Sequence, residues 1–227
     1  MKVILFGATG MVGQGVLREC LAAKEVSAVL AVGRTPVALV DPKLSNLVHA
    51  DLWTYAGDEP TLIGYDACFF CLGVTSSGKS EEAYSHLTYD ATLAAATVLA
   101  RLNPTMVFTY VSGQGTDSSE KGRSMWARVK GRTENALGRL GFRAVYLFRP
   151  GFILPLHGIR SKTPSYQLIY SVLGPLIPLA KRLFPRSIVT TEEVGRAMLE
   201  VALRGHIVAV LEPKDIAAAA AAFTAAR

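Results

Sequence analysis

The chain has 227 residues, of which 50% are hydrophobic and 19% are charged, and its net charge is +6 at neutral pH. This composition excludes an intrinsically disordered protein, and the length suits one well-filled domain. The positive charges form no run longer than a pair, so nucleic acid is not an expected partner. A mildly basic surface suits a phosphorylated small molecule instead.

The chain begins with a predicted strand, a glycine-rich turn and a predicted helix. Residues 3–6 form an apolar run typical of a strand buried on both faces. Gly7, Gly10 and Gly13 follow at three-residue spacing, and apolar residues over 12–21 recur at helical spacing. Glycines let a phosphate approach the backbone N–H groups at the positive end of a helix dipole. The unit therefore predicts a dinucleotide-binding turn.

Strands and helices then alternate along the chain. Further strands are predicted at 26–32, 47–50, 66–72, 106–111, 143–148 and 207–211. Helices are predicted at 80–102, at 124–140 and from about Thr191, and the alanine-rich end is either a docked helix or a frayed tail. This alternation predicts the α/β class, with a doubly wound parallel sheet in a single Rossmann-type domain over 1–227. Ligands bind such sheets outside the carboxyl ends of the strands.

The region 155–190 interrupts the alternation with five prolines around short apolar stretches. We expect a small irregular lid over an apolar substrate. The alternatives are an oligomer contact, or a pair of interfacial helices lying on a membrane surface as a peripheral contact.

The sequence predicts no secretory signal, transmembrane segment or metal site. The apolar start ends after four residues, and no run of eighteen apolar residues follows. Cys68 and Cys71 lie three apart on a predicted strand, so they are interpreted as buried hydrophobes on opposite faces rather than a redox pair. The four histidines show no ligand spacing with cysteines or acids. The expected compartment is the cytoplasm.

The residues after the second predicted strand indicate which cofactor binds. The sequence there is Gly33-Arg34-Thr35, with no acid nearby. In dinucleotide-binding sheets an acid here binds the 2′-hydroxyl of NAD, whereas an arginine accommodates the 2′-phosphate of NADP. We therefore expect NADP(H), with NAD as the less favoured cofactor. Asp51, after the third strand, is either an acceptor for the adenine amino group or a turn-capping aspartate.

Several segments, in this order, resemble a short-chain dehydrogenase/reductase of the atypical or extended kind. They are Gly7-Ala-Thr-Gly-Met-Val-Gly13, Gly33-Arg34, Asp51-Leu52, Cys71-Leu-Gly-Val-Thr75, Val111-Ser112, Lys130 and Arg149-Pro-Gly-Phe-Ile153. Together with Phe70-Cys-Leu-Gly-Val-Thr75, the segments 129–134 and 148–151 most resemble the Tat-interacting-protein-like oxidoreductase branch. The resemblance covers residues 1 to about 155.

The resemblance implies a role for each matching residue. The pyrophosphate is expected on Gly7, Thr9, Gly10, Met11, Val12 and Gly13, and the 2′-phosphate on Arg34 and Thr35. Asp51 and Leu52 are expected beside the cofactor as well. The nicotinamide ribose is expected at Leu72, Gly73, Val74 and Lys130, and the nicotinamide amide at Pro150, Gly151 and Ile153. Ser112 is the expected catalytic serine, with Trp126 and Lys130 shaping the same site.

The sequence departs from the family pattern at one catalytic position. The family signature is Tyr-x-x-x-Lys on a helix, and the residue four before Lys130 is Trp126. An indole N–H donates a hydrogen bond but does not ionise near neutral pH, so it orients a carbonyl without supplying its proton. The other candidate donors are Tyr84, Tyr89 and Tyr110, of which Tyr110 is expected to lie deep in its strand.

These observations favour an NADP(H)-dependent oxidoreductase. We expect hydride transfer between the nicotinamide and a carbonyl or hydroxyl carbon of a small apolar substrate near Ser112, in a monomer or homodimer. One alternative is a catalytically weak or inactive NADP(H)-binding regulatory or interaction protein, which the missing tyrosine favours. A second is a nucleotide-sugar epimerase or dehydratase, which the short C-terminal part disfavours.

Overall fold

The computed structural model describes residues 1–159 and 187–226. Its strands are β1 (Lys2–Phe6), β2 (Ala28–Gly33), β3 (Leu44–Val48), β4 (Ala67–Phe70), β5 (Val107–Val111), β6 (Ala144–Phe148), β7 (Phe152–Leu154), β8 (Ile188–Thr190) and β9 (Val210–Leu211). Its helices are α1 (Met11–Ala22), α2 (Glu59–Leu62), α3 (Glu81–Ser85), α4 (Ala91–Leu102), α5 (Met125–Leu137), α6 (Thr191–Arg204) and α7 (Pro213–Ala225), and a π-helical turn over His86–Asp90 joins α3 to α4.

Seven of these strands form one parallel sheet in the order β3-β2-β1-β4-β5-β6-β9. The strand order reverses between β1 and β4, so the connections from these two strands leave toward opposite sides. A crevice opens at the carboxyl ends of the strands at such a point. The predicted α/β class and the doubly wound parallel sheet are confirmed, and the crevice lies where the glycine-rich turn follows β1.

Alternating side chains of β1 build the core on both faces of the sheet. Val3 and Leu5 belong to a buried cluster with α1, α6 and α7, whereas Ile4 and Phe6 belong to a second cluster with α4. Successive residues of a strand point to opposite faces, so a strand covered on both sides must be apolar throughout. This explains why the run at the start of the chain shows no polar alternation.

Several element bounds differ from the sequence prediction. β3 begins three residues earlier than expected, because most of its residues are partly or fully exposed and their apolar signal is weak. The helix expected over 80–102 is divided by the π-helical turn, which hydrophobic spacing does not reveal. β8 pairs with β7 in a separate two-stranded sheet, so residues 188–190 form a strand although they fall in the region expected to be irregular over 155–190.

The alanine-rich end is a docked helix. Ile216 and Phe223 of α7 are buried in the cluster that α6 also enters. Of the two alternatives for this segment, the frayed tail is therefore wrong for the described residues. Two apolar anchors on one face are enough to hold a helix whose other residues are mostly alanine.

The two closely spaced cysteines lie on opposite faces of the sheet, as predicted. Cys68 lies in the second cluster, and Cys71 packs against the first. Burial raises the pKa of both thiols and that of Cys20, so all three stay protonated at neutral pH. No helix within the described residues combines the length and the apolar character needed to cross a bilayer.

Candidate functional site

The glycine-rich turn is closed so tightly that side chains do not fit. Gly7 has φ of 77°, and a Cβ there would lie 2.8 Å from the main chain of Cys71 and Leu72. A Cβ on Gly13 would lie 2.0 Å from the Gly7 carbonyl oxygen, and Gly10 donates its N–H to that oxygen over 2.9 Å. α1 starts directly afterwards, with no acid in its first turn and no side-chain cap. No carboxylate in the first turn of α1 therefore opposes its positive dipole end, and no side-chain cap occupies its first N–H groups.

A cavity of about 360 Å³ opens beside this turn, at the carboxyl ends of β1 and β2. Six of the predicted cofactor residues line it, namely Gly7, Thr9, Arg34, Thr35, Leu52 and Leu72. The remaining lining is mostly apolar and comes from Ala8 of the turn, from β2 and from the loop that follows β2. The structure thus brings together residues separated by up to 65 positions in one cavity that has both polar and apolar lining.

Arg34 and Asp51 differ in their freedom to meet a ligand. Arg34 is exposed at the rim, and no carboxylate in residues 1–159 or 187–226 forms an ion pair with it. Asp51 instead accepts a hydrogen bond from the backbone N–H of Trp53 over 2.8 Å. Of the two interpretations of Asp51, this contact favours the turn-capping one, and its neighbour Leu52 is the residue that lines the cavity.

The three predicted catalytic residues come together at the carboxyl end of β5. Lys130 donates from Nζ to the Val111 carbonyl oxygen over 3.0 Å, directly before Ser112. The ring of Trp126 packs on the turn after Ser112, 3.7 Å from the position of a Cβ on Gly113. The indole, the ammonium group and the hydroxyl therefore share one corner of the crevice.

The segments that follow β5 and β6 run side by side. They place the predicted nicotinamide residues next to this corner. Ser112 donates its N–H to the Phe148 carbonyl over 2.8 Å, and Gln114 donates to the Pro150 carbonyl over 2.9 Å. A Cβ on Gly151 would lie 2.7 Å from the side-chain oxygen of Gln114. Gln114 is therefore a residue of this corner that sequence reasoning missed.

The other predicted contacts lie near the same edge of the sheet. Met11 and Val12 form the first turn of α1, Gly73 and Val74 follow β4, and Ile153 lies in β7 and packs against the first cluster. The proposed lid over 155–190 falls for the most part on residues 160–186, which lie outside the described residues.

Burial changes the acid–base behaviour of Lys130. The residue is 8% exposed, and its Nζ lies 5.1 Å from the centroid of the Tyr110 ring. Desolvation lowers the pKa of Lys130 to about 8, while the nearby carboxylate of Glu134 acts in the opposite direction. Both protonation states are therefore populated slightly above neutral pH.

Glu134 is a second residue of the site that sequence reasoning missed. Its side chain is buried, and Oε1 accepts a hydrogen bond from Ser112 Oγ over 2.5 Å. Arg149 donates to the same carboxylate from Nε over 3.0 Å and also from Nη2. The same hydroxyl of Ser112 lies 3.2 Å from the Phe148 carbonyl oxygen. A hydroxyl has one proton, and the shorter contact to Glu134 takes it, so that proton is not available to a ligand. Glu134 lies four residues after Lys130, and that helical spacing was the available signal.

The tyrosines considered as proton donors are badly placed for that role. Tyr110 is fully buried, as expected, and Tyr84 is nearly so. Burial raises the pKa of both phenols, so neither releases a proton at neutral pH. Tyr89 is partly exposed, but its ring stacks 4.1 Å from the guanidinium carbon of Arg132.

Known proteins similar to this chain were found by sequence. No family model matches the chain. It is 29% identical over 155 residues to Protein HTATIP2 of Rattus norvegicus, a match covering 67% of this chain and 63% of that protein. It is 32% identical over 159 residues to Protein fmp52, mitochondrial, of Emericella nidulans, covering 67% of this chain and 66% of that protein. The chain thus matches slightly less than two thirds of the length of each relative.

Solved structures show the same fold. An oxidoreductase of the short-chain dehydrogenase/reductase family from Burkholderia thailandensis has a TM-score of 0.66 at 18% identity, over 95% of this chain and 92% of that one. The enzyme WbmF of Bordetella bronchiseptica, solved in complex with NAD+, has a TM-score of 0.67 at 16% identity. That match covers 99% of this chain and 77% of the WbmF chain. With the sequence relatives, this fold identifies the chain as a Rossmann protein of the atypical short-chain dehydrogenase/reductase family.

Proposed function

We propose that this chain binds NADP(H) and acts as an oxidoreductase on a small apolar substrate. The cavity at the glycine-rich turn carries the proposal, because it joins the residues just before α1, an apolar wall and Arg34, with which no carboxylate of residues 1–159 or 187–226 forms an ion pair. An exposed guanidinium at the rim suits the 2′-phosphate that distinguishes NADP from NAD. The solved complex of WbmF with NAD+ supports a dinucleotide in a fold of this kind.

The residues present fit such a cofactor along the whole crevice. In this proposal Gly7, Gly10 and Gly13 let the pyrophosphate approach the start of α1, and Lys130 and the residues after β4 hold the nicotinamide ribose. NADP(H), when bound, would supply hydride to a carbonyl carbon or accept it from an alcohol carbon, with the matching proton at the substrate oxygen exchanged with water. The indole N–H of Trp126 would donate a hydrogen bond to the substrate oxygen. Ser112, whose proton is donated to Glu134, would accept a hydrogen bond from the hydroxyl of an alcohol substrate.

Calorimetric titration of the purified protein with NADPH and with NADH tests this proposal. We expect NADPH to bind at least about tenfold more tightly, since one charge-assisted pair with a phosphate is worth that much. Equal affinities would contradict the role given to Arg34. Binding of neither dinucleotide would mean that the glycine-rich turn is only structural, and the oxidoreductase proposal would then be dropped.

A second candidate is an NADP(H)-binding regulatory or interaction protein without ordinary turnover. Trp126 at the position of the family tyrosine and the two buried phenols favour it. Such a protein would bind NADPH yet oxidise none of it with a broad panel of aldehydes, ketones and quinones. A nucleotide-sugar epimerase or dehydratase is a third candidate, and protection from proteolysis by a nucleotide sugar would favour it.

Replacing Trp126 with tyrosine is expected to raise NADPH oxidation by about tenfold to a hundredfold on the best carbonyl substrate of that panel. The phenol would lie one helical turn before Lys130, where a cationic amine favours its ionised form. Trp126→Phe is the control, because it keeps an aromatic ring on Gly113 but adds no hydroxyl. Equal rates for the two variants on every substrate would mean that this corner of the crevice serves another purpose.

The proposed compartment is the cytoplasm, and the proposed state is a monomer or a homodimer. The fmp52 relatives are named mitochondrial proteins, so the mitochondrion is the alternative. Cell fractionation and size-exclusion chromatography with light scattering decide these two points.

A further inference from the structure

The loop that carries Arg34 belongs to neither a strand nor a helix. Residues 34–37 leave β2 and form one rim of the cavity. An unrestrained loop loses conformational entropy when a ligand orders it, and that loss reduces the affinity for the ligand. The strength of an arginine–phosphate contact here therefore depends on what holds the loop before the cofactor arrives.

The side chain of Asn46 holds the far end of this loop. Its Oδ1 accepts a hydrogen bond from the Val37 backbone N–H over 2.9 Å, and its Nδ2 donates to the Val37 carbonyl over 3.4 Å. One planar amide thus satisfies both backbone groups of a single residue, much as a neighbouring strand would. Pro36 has no N–H, so Val37 is the first residue after Thr35 whose N–H can be held in this way.

The loop is anchored on both sides of Arg34. Before it, the Gly33 carbonyl accepts a hydrogen bond from the backbone N–H of His49 over 2.9 Å, which fixes the end of β2. After it, the side chain of Val37 lines the cavity and packs against the first buried cluster, while Asn46 holds its main chain. Only three residues lie between the two anchors, so few backbone conformations satisfy both.

We propose that Asn46 is a positioning residue for cofactor selectivity. By clamping Val37 it holds Arg34 and Thr35 where the 2′-phosphate binds, without touching the cofactor. This inference rests on the proposed binding of NADP(H). It concerns the 2′-phosphate alone, because the pyrophosphate and the nicotinamide bind at other residues of the crevice.

Asn46→Leu, which keeps the side-chain size and removes both hydrogen bonds, tests the proposal. We expect NADPH to bind about tenfold more weakly and NADH to change by less than about twofold in calorimetry. Ser45→Ala is the matched control, since the neighbouring hydroxyl of β3 contacts Val29 O at 3.4 Å and not the loop. It should leave both affinities unchanged. Asn46 is exposed on an edge strand, and equal melting temperatures of the two variants would verify folding.

A double-mutant cycle with Arg34→Ala separates positioning from a general structural effect. If Asn46 acts through Arg34 and Thr35, Asn46→Leu costs much less NADPH affinity once Arg34 is alanine than it does in the wild type. Additive losses, or equal losses for NADPH and NADH, would overturn the inference. So would a wild-type protein that prefers NADPH and an Asn46→Leu variant that keeps the same preference. A wild-type protein that binds neither dinucleotide would overturn the proposed function and this inference with it.

Discussion

Arg34→Glu is expected to weaken NADPH binding by about a hundredfold or more, while NADH affinity changes by no more than about threefold. The variant loses the charge-assisted hydrogen bonds to the 2′-phosphate and places a carboxylate against it. NADH has a 2′-hydroxyl in place of the phosphate, and that hydroxyl can donate a hydrogen bond to the new carboxylate. Calorimetry with both dinucleotides at low and at physiological salt measures the effect, and the loss for NADPH should shrink as salt screens the repulsion.

Arg139→Glu is the control for the change of net charge. Arg139 is exposed just beyond α5 and does not line the cavity. The exchange of arginine for glutamate changes the net charge by the same amount as Arg34→Glu. It should bind both dinucleotides as the wild type does. If Arg34→Glu weakened NADPH and NADH equally, the residue would support the loop rather than recognise the phosphate.

Glu134→Ala is expected to lower the free energy of unfolding by about 3–5 kcal/mol. The substitution leaves the guanidinium of Arg149, whose side chain is only 13% exposed, without its buried carboxylate. It also removes the acceptor of the Ser112 hydroxyl. Urea unfolding followed by circular dichroism measures the change, and Glu134→Gln should lose less because its amide oxygen still accepts one hydrogen bond.

Glu59→Ala provides the comparison with a solvated ion pair. Glu59 pairs with Arg101 at the surface, where the two side chains are 43% and 59% exposed. Solvent screens such a pair, so its loss should cost less than about 1 kcal/mol. If Glu134→Ala cost no more than Glu59→Ala, the Glu134 network would not stabilise the ends of β5 and β6, and Glu134 would be free for a role in the chemistry.

Local patterns explain the parts of the fold that could be predicted. The unit of β1, glycine-rich turn and α1 is visible because a fully buried strand is continuously apolar and because the turn has no room for side chains. Arg34 could be placed for a related reason, since a residue that directly follows a buried strand lies at the carboxyl edge of the sheet. Such signals depend only on neighbours in the chain.

The contacts that sequence reasoning missed join residues of different structural elements. Glu134 meets Arg149 and Ser112 only because α5 packs across the ends of β5 and β6. Asn46 meets Val37 only because it lies in β3, which pairs with β2 and begins earlier than the apolar residues predict. The helical spacing of Glu134 from Lys130 indicates that it lies near the site, but nothing in the sequence indicates that Arg149 and Ser112 are its partners or that Val37 is the partner of Asn46.

The sequence by itself determined the fold class, the place of the dinucleotide turn and the absence of the family tyrosine at Trp126, because each depends on the type and spacing of nearby residues. Only the tertiary structure decided that Ser112 donates its proton to Glu134, that Lys130 is buried with a lowered pKa, and that the loop of Arg34 is clamped from β3. Hydrogen-bond partners and desolvation depend on which segments pack together, and that packing exists only in the folded protein.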